Sequence, residues 1–265
     1  MFQLHPLPAF QDNYIWMLQR PDAPGQVVAV DPGQSAPVLQ WLQQHQLRLA
    51  AILITHHHPD HTGGVAELLA SQPNDKIKVY GPSDSPFQGI NTPLDDGDQI
   101  ELLGQKLDVK RVPAHTLDHI AYYTPYTDPQ DQVQLFCGDT LFVAGCGRLF
   151  EGSAEQMHRA MQFFRSLPDR TQICCAHEYT LSNLNFAAAV EPENPDIAAC
   201  IERCQQLRQQ AQPTLPGLLD EEKRINPFMR YDQPAVISAA QSREPDGCDD
   251  EAAVLATIRR WKDNF

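Results

Sequence analysis

The sequence lacks any long apolar run. Its longest, such as Ala50 to Ile54, fall far short of the roughly 20 residues that a bilayer-spanning helix needs. The stretch from Met1 to Tyr14 has no basic segment followed by an apolar one, so no signal peptide is expected and a soluble, cytoplasmic protein is. Basic residues are scarce: 20 Lys and Arg stand against 34 Asp and Glu, for a net charge of -14. Such a surface repels phosphate backbones, which makes nucleic acid a poor partner. No repeats occur, and Gly and Pro are present without dominating, which argues against global disorder. An even, disulfide-forming cysteine set is also missing. The seven cysteines, with no secretion signal, point to reduced thiols. Cys200 and Cys204 share a helix face, but no second Cys or His pair lies near them, so they read as ordinary thiols. What is present is 265 residues, 42% of them apolar, enough for one large domain or a middle-sized one with a small companion.

The first part of the chain alternates strands and helices. Asn13 to Gln19, Gln26 to Asp31 and the continuous apolar run Leu49 to Ile54 are predicted strands, the last buried on both faces. Pro37 to His45 and Val65 to Ser71 are predicted helices, the first with Leu39, Leu42 and Trp41 inward. Further strands are expected at Ile77 to Tyr80, Gln99 to Leu103, Leu107 to Val112, Ile120 to Tyr123, Val133 to Cys137 and Gln172 to Cys175. Between the last two, Ser153 opens a helix to Ser166 as its N-cap. Beyond about His177 strands largely vanish, and helices are expected at Thr180 to Val190, Pro195 to Gln210 and Glu251 to Lys262. A domain boundary is therefore expected near residue 175.

The strongest chemical signal lies directly after the buried strand. His56, His57, His58, Asp60 and His61 fall within six consecutive positions, at a strand end where α/β folds build sites. In an extended loop alternate residues project to one side, so His56 and His58 can converge on one ion, with Asp60 and His61 reaching a second. Imidazole and carboxylate at this density suit Zn, Fe or Mn. One short loop cannot close two coordination spheres. Further donors are offered after later strands by His115, Asp118 and His119, by Asp139, and by His177 and Glu178.

Taken in this order, T-H-x-H-x-D-H and then separate His, Asp and His, the chain resembles the metallo-β-lactamase superfamily. The resemblance implies an α+β architecture, the αβ/βα sandwich. It also implies a ligand set: His56, His58 and His115 for one metal, Asp60, His61 and His177 for the other, and Asp139 between them. His57 occupies the motif's variable position, and His119, Asp118 and Glu178 stand beside ligands. His5, His45 and His158 are expected to pack or face solvent. Two metals about 3.5–4 Å apart share a water whose pKa falls toward neutrality; the resulting hydroxide attacks a carbonyl, with Asp60 holding it in line. A thioester suits such a site, because a thiolate leaves without strong acid assistance.

Within the superfamily three further stretches resemble glyoxalase II, the hydroxyacylglutathione hydrolases. They are Phe10-Gln-Asp-Asn-Tyr-Ile-Trp16 with Val30-Asp-Pro-Gly33; Cys146-Gly-Arg-Leu-Phe-Glu-Gly152; and Asn226-Pro-Phe-Met-Arg230 with Arg259-Arg-Trp-Lys-Asp-Asn-Phe265. The resemblance implies a catalytic domain at 1–175, a helical glutathione-binding domain at 176–265, and cleavage of S-D-lactoylglutathione to D-lactate and glutathione. It implies two divalent ions, zinc first, and a monomer with a small-molecule substrate and no nucleic-acid or membrane partner. Arg148, Phe150, Tyr179, Arg259 and Lys262 become the expected substrate contacts, since the carboxylates of glutathione want fixed cations. The family often has Tyr where Phe150 stands, so one hydrogen bond of roughly 0.5–1.5 kcal/mol is absent. The competitors are an iron-dependent sulfur dioxygenase, a nuclease, a secreted β-lactamase and a metal-binding module without turnover. The sulfur dioxygenases lack the helical extension. The net charge and the missing signal peptide disfavour the next two, and the complete ligand set the last.

Overall fold

The computed structural model describes residues 1–72 and 76–265. The chain packs as two compact units, one holding residues 1–111, 118–126 and 134–138, the other the remainder.

The first unit begins with a sheet whose strand order is that of the chain. It runs through β1 (Gln3–Ala9), β2 (Asn13–Gln19), β3 (Gln26–Val30), β4 (Arg48–Leu53), β5 (Lys78–Pro82) and β6 (Thr92–Leu94). The first three strands are antiparallel and the last four parallel. Parallel neighbours need crossovers. These are α1 (Ser35–His45) between β3 and β4, and α2 (Pro59–Thr62) with α3 (Val65–Ser71) between β4 and β5. Ile15, Met17, Val27, Ala29, Ile52 and Val79 of the strands close on Val38, Leu42 and Leu68 of the helices. Each of these Ile, Met, Val and Leu side chains contributes roughly 1.5–3 kcal/mol on leaving water, and Ala29 less. On α1 the fully inward residues are Val38 and Leu42, while Leu39 and Trp41 pack at the edge of the core.

An antiparallel group completes this unit: β7 (Gln99–Leu102), β8 (Gln105–Arg111), β9 (Ile120–Tyr123) and β10 (Gln134–Gly138), adjacent in that order. Buried Tyr122 donates its hydroxyl hydrogen to the Ile54 carbonyl at 2.8 Å. This ties β9 to the backbone just past the end of β4.

Nothing in the sequence announces β1, because Pro6 and Pro8 read as strand breakers. They pair with Trp16 and Tyr14. β1 is the edge of its sheet, where a strand tolerates a missing N–H.

The second unit carries a two-strand hairpin, β11 (Leu141–Phe142) with β12 (Gly145–Cys146), and then α4 (Ala154–Ser166) and β13 (Gln172–Cys175). Helices dominate the remainder of the chain: α5 (Thr180–Val190), α6 (Pro195–Gln209), α7 (Leu219–Ile225), α8 (Pro234–Arg243) and α9 (Glu251–Asp263), with the short strand β14 (Gly217–Leu218) pairing to β13. Ser153 and Gln156 form a reciprocal capping box at the start of α4. Asp250 accepts from the Ala253 amide at 2.8 Å and caps α9. Helix α9 packs on α4 and α8, and Phe186, Phe228 and Trp261 form the aromatic centre of this unit. Helices α7 and α8 are not expected from the sequence: α7 is a charged single stretch of two turns, and α8 has too weak an apolar stripe to stand out. Cys200 and Cys204 are buried with sulfurs 3.8 Å apart. Neither belongs to a candidate ion-binding group among the described residues. No helix among the described residues is long and apolar enough to cross a membrane.

Candidate metal centre and substrate side chains

In the first unit the His-rich segment leaves the end of β4 beside the end of β3. There Asp31 has a positive φ of 52°, a left-handed conformation that Asp tolerates. Its carboxylate accepts from the Thr55 amide at 2.8 Å and the Thr55 hydroxyl at 2.7 Å, and Nδ1 of His61 lies 3.1 Å away. A carboxylate at Nδ1 directs the imidazole so that Nε2 faces the other way. Nε2 of His61 lies 3.5 Å from Asp60 Oδ2, which also accepts from Asn13 Nδ2 at 3.1 Å.

His58 has an extended backbone, with φ -57° and ψ 145°, while His56 lies in a bend, and Nε2 of His56 faces Nδ1 of His58 at 3.1 Å. Two neutral imidazole nitrogens this close share a proton or a cation. Asp60 and His61 are different: they sit in α2, a single helical turn with Pro59 at its first position, where proline is favoured. His57 turns away and pairs with Asp118 at 2.9 Å. His119 stacks on His56, with centroids 4.6 Å apart and planes 15° apart.

The turn after Asp31 holds the motif by contact. A Cβ added to Gly33 would meet the Asp60 carbonyl oxygen at 1.8 Å. Gly33→Ala is therefore expected to cost about 3 kcal/mol, which thermal unfolding would register as a large fall in Tm; an unchanged Tm would show that this approach is not tight in solution.

In the second unit Asp139 lies among imidazoles. Its Oδ2 is 3.5 Å from Nε2 of His115 and 3.3 Å from Nε2 of His177. His115 is oriented from behind, since Nδ1 contacts the Arg148 carbonyl at 2.9 Å. His177 lies just beyond β13, and Tyr179 stacks on it at 4.7 Å with planes 10° apart. Gly147 admits the close approach of these parts: an added Cβ would lie 2.0 Å from the Asp139 carbonyl oxygen.

The five expected substrate residues lie in the same unit. Phe150 is 62% exposed, with its ring 5.2 Å from that of His115. The Arg148 side chain is 64% exposed, with Nε 3.7 Å from Asp263. Tyr179 is partly open, 37% exposed. Arg259 is buried: Nη1 donates to the Cys146 carbonyl at 2.8 Å and Nη2 to Asp263 at 2.9 Å. Lys262 has its Nζ 5.1 Å from the Phe186 ring centre. Burial, and then the charge of Arg259, lower its pKa to about 8. Glu178 accepts from the Thr214 amide at 3.0 Å and from its hydroxyl. His158 contacts Glu251 and Tyr231, and His5 and His45 flank Trp41.

Four of the seven expected ligands, His56, His58, Asp60 and His61, lie in the first unit, and three, His115, Asp139 and His177, in the second. The donor chemistry, imidazole and carboxylate without thiolate, suits a borderline or hard divalent cation.

The family model described as "Metallo-beta-lactamase superfamily" matches residues 12–177, and "Hydroxyacylglutathione hydrolase C-terminus" matches 178–265. A hydroxyacylglutathione hydrolase of Chromohalobacter salexigens is 49% identical over 265 residues, all of both chains. The chain belongs to the hydroxyacylglutathione hydrolase family. Its fold is accordingly the metallo-β-lactamase α+β fold with the family's helical C-terminal domain. Among solved structures, ETHE1 from Myxococcus xanthus has a TM-score of 0.64 at 20% identity, over 98% of this chain and 90% of that one; it shows the fold alone. TTHA1623 in a di-iron-bound form has a TM-score of 0.51 at 26% identity, over 66% and 91%.

Two residues beside the expected ligands are not found by sequence reasoning, Asp31 and Asn13. Both lie within stretches that carry the family resemblance, Val30-Asp-Pro-Gly33 and Phe10 to Trp16. The usable signal for Asp31 is a carboxylate directly after a strand, parallel and adjacent to the one that ends in the His motif.

Proposed function

We propose that the chain hydrolyses S-D-lactoylglutathione to D-lactate and glutathione. The observation that carries this reading is Asp139 Oδ2, 3.5 and 3.3 Å from the Nε2 atoms of His115 and His177, which supports a carboxylate shared within a metal centre. In this reading His56, His58 and His115 hold one divalent cation, Asp60, His61 and His177 the other, and Asp139 both. Zinc is the first choice, and iron or manganese suit the same donors; the di-iron form of TTHA1623 supports iron. Such cations supply Lewis-acid charge and acidify water.

The chain's own residues do the rest. Asp31 and the Arg148 carbonyl hold the His61 and His115 rings so that Nε2 of each presents a lone pair. Asp60, its side chain 39% exposed, is open enough to orient an attacking water through a carboxylate oxygen. Phe150 and Tyr179 offer apolar ring surface to the thioester, and Arg148 and Lys262 offer cations to the carboxylates of glutathione. Arg259 acts beneath them, fixing the Cys146 carbonyl. The glutathione thiolate leaves without a general acid, because its pKa resembles that of cysteine, about 8.5.

Residues 1–175 are the catalytic part and 176–265 the glutathione-binding part, to which Arg148 and Phe150 add contacts from upstream. The chain acts as a cytoplasmic monomer on this small molecule, without nucleic acid or membrane; the net charge of -14 supports the last point.

The test is thiol release from S-D-lactoylglutathione by purified protein, with a chelator-treated control and metal analysis. Rapid release that the chelator abolishes is expected. No release with about two ions bound would retain the metal centre and discard this substrate, and oxygen uptake with glutathione persulfide would be measured next.

A further inference from the structure

Between Asp139 and Arg148 the chain makes the β11–β12 hairpin, turning at Val143 and Ala144. Ala144 has a φ of +54°, a conformation that a residue with a Cβ keeps only where its surroundings impose it. The polar backbone atoms of this turn are received by side chains from the helices. Glu222 of α7 accepts from the Ala144 amide at 2.9 Å and from Asn226 Nδ2 at 2.8 Å. Asn226 Nδ2 also reaches the Gly145 carbonyl at 3.0 Å and the Phe142 carbonyl at 3.3 Å. Asn183 of α5 donates to the Val143 carbonyl at 2.9 Å.

We propose that Glu222 is a positioning residue for substrate turnover, fixing the hairpin that joins Asp139 to Arg148. The inference rests on the thioester-hydrolase reading and names a part of that site which touches neither ion nor substrate. Glu222 is fully buried, and an acid kept so far from water must have a local partner to justify it. Its contacts go to the turn of the hairpin and to the Asn226 that clamps the same turn. The hairpin's two ends meet at Asp139 and Gly147, where no side chain fits between them. A turn released at Ala144 therefore moves the carboxylate at one end and the guanidinium at the other.

Burial pushes the Glu222 carboxyl up to about 8, with smaller contributions from Glu221 beside it and Cys204 of α6; Cys175 of β13 faces it too. The native state thus keeps the proton at neutral pH, whereas the unfolded chain releases it near the ordinary Glu value. Stability from this group is fully present below that value and is lost as pH rises toward 8. Glutamine in its place does not titrate.

The experiment compares Glu222→Leu and Glu222→Gln with wild type in the full-length, metal-loaded protein. Glu222→Leu leaves the Ala144 amide buried without an acceptor and should cut kcat/KM about tenfold or more, including a rise in KM. A smaller folded fraction alone would lower apparent kcat and leave KM in place. Deuterium uptake over residues 139–150 should quicken in the same variant, and Glu222→Gln should restore protection and most of the activity. Equal uptake and equal KM in wild type and Glu222→Leu would overturn the proposal. Should Glu222→Leu fail to fold, Glu222→Asp decides: its shorter side chain draws the carboxyl back from the Ala144 amide, so uptake over 139–150 should quicken and KM rise, and wild-type values of both overturn the proposal. If the wild type releases no thiol, the thioester reading falls, while deuterium uptake still judges the positioning role.

Discussion

Asp139→Asn should remove bound metal and hydrolysis together. The amide keeps the volume of the carboxylate but loses its charge, and one of its two oxygens becomes an NH2 group that cannot ligate. Oδ2 faces two imidazoles, so that half of the replacement side chain must choose between donating to a ring nitrogen and sharing a cation. A fall in kcat/KM on the order of a thousandfold, about 4 kcal/mol, is expected. Metal content by elemental analysis should drop in parallel, while circular dichroism keeps its helical signal. Full metal and full activity in this variant would remove Asp139 from the centre and with it the bridging assignment.

Lys262→Ala should act on binding instead. Lys262 stands apart from the imidazole cluster, so its cation should meet the substrate in ground and transition states alike. Losing a charged hydrogen-bond donor is worth about 1.5–3 kcal/mol, a rise in KM of roughly 10- to 100-fold with kcat little changed. The wild-type enzyme should show the same loss on titration. The pKa of Lys262 is lowered to about 8 by burial and by Arg259, so the cation is present below that pH and disappears above it. KM should therefore climb from about pH 8 upward in the wild type and stay flat in Lys262→Ala. A fall in kcat at constant KM would assign Lys262 a different task.

These two residues also mark how far the sequence can be read. The expected metal donors of β4's trailing loop are legible because they lie close together: His56, His58, Asp60 and His61 fall within six positions, around His57 at the variable position. Even so, the spacing suggests one extended loop, and Pro59 instead starts a helical turn beneath Asp60 and His61. Asp31 is not legible as a partner of His61, because their meeting depends on β3 lying parallel to β4, a long-range fact. The C-terminal cations are visible only as a match to a family tail. Arg259 and Lys262 look alike on a helix end, yet one is buried against the Cys146 carbonyl and the other keeps its ammonium near Phe186. Which cation turns inward depends on packing of α9 against α4 and α8, and local sequence carries no trace of that. Prolines mislead at β1, where the usual penalty does not apply.

That first strand has a consequence for the behaviour of the protein in a crowded solution. Pro6 and Pro8 have the same parity, so their missing amide hydrogens lie on the same side of β1. Strand β2 occupies the other side, since prolines directed at it would have broken the ladder. The free rim of the sheet therefore offers carbonyls but is short of donors just where a second chain would have to zip onto it. An exposed strand with a full set of donors is a template for edge-to-edge growth; this one is blunted along its middle, and the chain's net negative charge pushes copies apart before they reach it.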